Sequence, residues 1–107
     1  MEIEKKIRLA VIAGASHALE LKRDDKDAFT DDLIQKTASG MSKILNTLGE
    51  TRSTEVGKLL SLAAIKGASQ ALNFSERNKR KSDKEILQHV TRQMEEIVSR
   101  MDLQEKQ

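Results

Sequence analysis

Residues 9–19 read LAVIAGASHAL, and residues 62–72 read LAAIKGASQAL. Leu9, Ala10, Ile12, Gly14, Ala15, Ser16, Ala18 and Leu19 recur as Leu62, Ala63, Ile65, Gly67, Ala68, Ser69, Ala71 and Leu72. The offset of 53 residues persists downstream, where Lys26, Gln35, Met41 and Ile44 match Lys79, Gln88, Met94 and Ile97. The chain is one helical unit written twice, and self-similarity at a fixed offset decides architecture before any single residue does.

Around this segment the composition is helical. There are 2 Phe, no Trp, no Tyr, no Pro and no Cys among 107 residues. A core without Trp or Tyr must come from Leu, Ile, Val, Met and Ala, which suits packed helices better than a sheet. Without proline, nothing interrupts long helices. Without cysteine, disulfides, thiolate metal sites and a cysteine nucleophile are excluded, which fits a reducing cytoplasm. A formal charge of +2 implies no polyanion partner by itself. The length suits one domain with a modest core.

Helix signals bracket both copies. Thr30 is a candidate cap, with Asp31 and Asp32 in the turn behind it, and Phe29 is placed to staple onto Ile34. Ser82-Asp83-Lys84-Glu85 reads as a capping box. Gly49 is a helix stop, with Ser53 or Thr54 capping the next helix. The reading predicts helices at about 2–22, 31–48, 54–75 and 83–103, with ends uncertain by roughly two to four residues. Repeat 1 then spans about 2–48 and repeat 2 about 54–103, within a single domain 1–107. Short connections between matched rods favour an antiparallel four-helix bundle of two tandem hairpins, related by a pseudo-twofold axis.

The second and fourth predicted helices are ordinary amphipaths. Leu33, Ile34, Thr37, Met41, Ile44, Leu45 and Leu48 form one stripe; Ile86, Leu87, Val90, Met94, Ile97, Val98 and Met101 form the other. The first and third helices are apolar on two sides. Ala10, Gly14 and Ala18, with Ala63, Gly67 and Ala71, are small residues spaced by four. A mid-helix glycine costs about 0.5–1 kcal/mol relative to alanine, so these glycines are expected at a close crossing of the two helices. Leu9, Ile12 and Leu19, with Leu62, Ile65 and Leu72, form a second seam at heptad-like spacing. Contiguous apolar surface marks association, so the seam predicts a homodimer, unless the second and fourth helices cover it.

Candidate chemistry is sparse. His17 and Glu20 stand one turn apart, but their counterparts are Gln70 and Asn73, so no metal-ligand set assembles. Asp24, Asp25, Asp27, Asp31 and Asp32 lack the glycine and terminal glutamate of a calcium loop. Ser16 and His17 are adjacent and point about 100° apart on a helix, which prevents a nucleophile–base pair. No Gly-x-Ser-x-Gly elbow, phosphate loop or dinucleotide fingerprint occurs. The expectation is a non-enzymatic protein-interaction or assembly module, with no cofactor and no metal.

Arg77, Lys79, Arg80, Lys81 and Lys84 form the densest basic run. They give an alternative, a nucleic-acid-binding protein that contacts phosphates through this loop. No aromatic interleaves the run, and no helix-turn-helix or zinc pattern surrounds it. An apolar ligand between helices is a third reading. MEIEKKIR before LAVIAGA resembles a signal peptide, but Glu2 and Glu4 lie in the leader and the apolar segment recurs with Lys66 inside it. No apolar run approaches the ~20 residues of a membrane span.

Overall fold

The computed structural model describes residues 3–105, with side chains as far as Met101, and these described residues form six helices. They are α1 (Ile3–Asp24), α2 (Thr30–Ser39), α3 (Met41–Thr47), α4 (Glu55–Arg77), α5 (Asp83–Arg92) and α6 (Met94–Glu105). No strand occurs among the described residues. Nor is any helix among them long and apolar enough to cross a membrane.

Each long predicted amphipath divides in two, at Gly40 and at Gln93. The two residues have similar backbone angles, φ −91°, ψ 12° at Gly40 and φ −88°, ψ 0° at Gln93. Gly40 has the weakest helix propensity short of proline, which accounts for a break there. Gln93 carries no breaker signal, and its break has no cause in its own residue type. The two breaks lie 53 positions apart, the offset of the sequence repeat.

The caps follow the sequence in part. Ser82 accepts from the Glu85 amide at 3.2 Å while its own amide donates to the Glu85 carboxylate at 3.2 Å, closing the capping box. These bonds hold the Glu85 pKa below the usual carboxylate value, the Ser82 backbone N–H contributing most. Thr54 Oγ1 accepts from the Gly57 amide at 2.8 Å. Gly49 ends α3 at φ +74°, with the Glu50 amide donating to the Leu45 carbonyl and Gly49 to Asn46. This left-handed stop is the Schellman arrangement, which favours glycine.

Two local expectations fail. Thr30 is the first residue of α2, and Phe29 holds the cap position with no side-chain hydrogen bond. Phe29 is 78 % exposed and makes no staple; Ala28, Leu21 and Ile34 instead pack on Leu33, Ala18, Ala68 and Leu72. The aromatic ring is turned outward, and the small Ala28 covers that corner.

At the centre, α1 and α4 lie side by side and run the same way. Lys22 meets Glu76 at their C-terminal ends, at 3.3 Å, while Ile3 shares a shallow groove with Val56 and Leu59 at their N-terminal ends. A β-carbon on Gly14 would stand 1.9 Å from the Ala64 carbonyl oxygen, and one on Gly67 would stand 2.0 Å from that of Val11. The backbones therefore touch where the sequence places its small residues: Ala10, Gly14, Ala18, Ala63, Gly67 and Ala71 are all buried.

α2 and α5 each pack on both central helices. Their inward residues are those read from the amphipathic stripes: Leu33, Thr37, Met41, Ile44 and Leu45 on one arm, and Ile86, Val90, Met94, Ile97, Val98 and Met101 on the other, are buried. Buried Thr37 donates to the Leu33 carbonyl at 2.9 Å, satisfying its hydroxyl within the helix. Ion pairs tie α1 to the second arm. Arg8 meets Glu95 and Glu4, which raise its pKa in that order, and Arg23 meets Asp83 at 2.7 Å. Exposed pairs of this kind contribute little individually.

Candidate functional site

The leucine seam divides on folding. Leu19 and Leu72 are 3 % and 0 % exposed, inside the monomer, so they cannot belong to a dimer contact. Leu72 clusters with Leu33 of α2, and Leu19 belongs to the core that includes Met41 and Ile44 of α3. Ile12 and Ile65 are half-buried. Leu9 and Leu62 stay 41 % and 43 % exposed. On a wheel of 100° per residue, Leu9 lies opposite the arc of Ile7, Val11, Gly14 and Ala18, the buried side of α1. Leu62 lies likewise opposite Leu60, Ala64, Gly67 and Ala71. The two leucines mark outward stripes on different helices.

These stripes are unequal. Leu62 continues into the shallow groove with Ile3, Val56, Leu59 and Met101, and Ile3 is itself 44 % exposed. The counterpart of Leu59 is Lys6, engaged by Glu50. The Leu62 side is therefore the broader apolar surface.

The second candidate region is the end of the molecule where α1 and α4 finish. Because the central helices are parallel, the α1–α2 and α4–α5 loops lie next to each other. A cleft of about 740 Å³ separates them, lined among others by Lys22, Lys26, Asp27, Phe29, Glu76 and Lys79. Arg77, Lys79, Arg80, Lys81 and Lys84 are exposed here, as are Asp24, Asp25, Asp27, Asp31 and Asp32. Among these ten, Lys81 alone is in an ion pair within the described residues, with Glu85 at 3.5 Å. Phe29 joins Lys79 across the cleft, although the two lie in different loops. The sequence shows the basic run without an aromatic; only the parallel central pair brings one beside it.

The histidines have packing partners. The His17 ring lies over Gly40, where an added β-carbon would stand 3.3 Å from Nε2. His89 stacks on Phe74 with centroids 3.8 Å apart and planes at 27°. Among the described residues no three His, Asp or Glu side chains gather as a metal-holding group.

Compared with protein-family models, with curated proteins and with solved structures, the chain matches none of them.

Proposed function

We propose that this chain is a non-enzymatic helical interaction module that associates with a second copy of itself. In this reading it is a four-helix bundle of two tandem hairpins about a pseudo-twofold axis, the α2–α3 and α5–α6 breaks being bends in two of its four rods. The reciprocal contacts of Gly14 with Ala64 and of Gly67 with Val11 support the symmetry, since each pair is the other shifted by the repeat offset. A reducing, cytoplasmic setting belongs to the reading and rests on the cysteine-free composition.

The observation that carries self-association is the exposure of the large apolar side chains Leu9, Leu62 and Ile3 on the two central helices. The Leu62 surface, extended by Ile3 and Leu59, is the main contact. Sedimentation of the wild type at tens of micromolar is expected to show a dimer whose affinity changes little with salt, since apolar burial is not screened. Leu62→Glu is expected to yield a folded monomer at the same concentration and ~500 mM salt. A wild-type monomer under these conditions would exclude this contact.

Nucleic-acid binding is the alternative, favoured by Phe29 standing beside Lys22, Lys26 and Lys79. Such a site would combine a stacking surface with phosphate contacts. Asp27, Asp31 and Glu76 line the same cleft and repel phosphate, which places this reading second. A gel shift with single- and double-stranded DNA and RNA at low salt tests it, because phosphate binding is strongest there.

A further inference from the structure

We propose that the loop end is a second, self-complementary interface, distinct from the leucine stripes, through which two copies meet end to end. Between 24 and 32 five aspartates accompany one lysine, and between 77 and 84 five cations accompany one aspartate. The fold sets these oppositely charged lobes side by side, joined by Lys22–Glu76 and Arg23–Asp83. The remaining charges point into solvent, Lys81 excepted. A surface with adjacent acidic and basic halves is complementary to itself when turned by a twofold rotation. The acidic half of one copy then meets the basic half of the other, and the same contact occurs a second time.

Phe29 supplies the apolar part. Among the described residues it is the most exposed large hydrophobic residue, at 78 %, and it lines the cleft between the two lobes. In an end-to-end pair it is positioned near the axis, where it is withdrawn from water against the partner's Ala28 and Phe29. A second copy fits this end better than a polyanion does, because a polyanion satisfies only one of the two lobes.

The size of the surface sets the strength. The molecule measures 37 × 25 × 23 Å, and its long dimension matches the ~33 Å length of the central helices. An end of 25 × 23 Å offers less than the ~800 Å² per partner of a standard interface. The pairing is therefore weak, and its charges are screened by salt.

The test is sedimentation in the Leu9→Glu/Leu62→Glu background, which removes the stripe contact and separates the two proposals. Dimerisation is expected at ~50 mM salt, weakening at least about tenfold by ~500 mM, and Phe29→Ala is expected to weaken it further. Asp25→Lys/Asp27→Lys and Arg80→Glu/Lys81→Glu are each expected to be monomeric alone and to pair when mixed in equal amounts. All these positions are exposed, so unchanged circular dichroism serves as the folding control. A monomer at ~200 µM and low salt, association indifferent to either charge reversal, or a mixture that stays monomeric would each overturn the proposal.

Discussion

Gly14 of α1 lies against the Ala64 carbonyl of α4 so closely that a β-carbon would stand 1.9 Å from its oxygen. The contact is to backbone, so no side-chain rotation relieves it. Gly14→Ala is expected to destabilise the fold by about 1–3 kcal/mol through overpacking, even though alanine is the better helix former by about 0.5–1 kcal/mol. For a domain of this size each kcal/mol lowers Tm by about 4–8 °C. Gly67→Ala is expected to act alike, through Val11. An unchanged melting temperature for either would contradict the crossing.

Phe29 and Leu33 stand four residues apart and have opposite roles. Leu33 is 1 % exposed and Phe29 is 78 % exposed. Leu33→Ala is expected to cost about 2–5 kcal/mol as a core cavity. Phe29→Ala is expected to change monomer stability by no more than about 0.5 kcal/mol. Urea denaturation of both variants checks this, and a large loss for Phe29→Ala would restore the staple that the fold lacks.

Thr54 caps α4 through the Gly57 amide. Thr54→Ala is expected to cost about 1 kcal/mol, while Thr54→Ser, which keeps the acceptor, recovers most of it. Equal losses for both substitutions in a thermal melt would assign the effect to something other than the cap.

Glu85 gives a pH-dependent signature. Its folded pKa is lowered, chiefly by the Ser82 backbone N–H and then by the Ser82 hydroxyl. A carboxylate of this kind adds stability above the unfolded-chain value of about 4.3, and that stability fades as pH falls through the lowered folded value. Glu85→Gln is therefore expected to be less stable than wild type near neutral pH and to converge with it in strong acid. Urea midpoints across that range, with the gap constant at every pH, would contradict this origin.

Much of the helical layout was legible because its signals are local. Ser82 with Glu85, Thr54, and Gly49 each mark a boundary through chemistry confined to a few residues. The buried stripes of both arms followed from the 3.6-residue period. The break at Gln93 was not legible, since glutamine carries no breaker signal and only its alignment with Gly40 hints at one. Period alone does not separate buried Leu19 and Leu72 from exposed Leu9 and Leu62, because a wheel gives the direction of a side chain without saying which helix lies there. Gly57 carries no local signal of its role, although a β-carbon on it would stand 1.6 Å from the Thr51 carbonyl oxygen of the preceding connection. The meeting of Phe29 with Lys79 depends on the parallel packing of two helices far apart in sequence, which no local pattern records.

That parallel pairing is the central claim, and the absence of cysteine makes it directly testable. Lys22 and Glu76 approach to 3.3 Å, whereas the start of α4 at Glu55 lies at the other end of a rod ~30 Å long. A Lys22→Cys/Glu76→Cys variant treated with a short bismaleimide is expected to cross-link within the monomer, and a Lys22→Cys/Glu55→Cys variant is not. Efficient cross-linking of the second pair, with none in the first, would mean that the two central helices run in opposite directions.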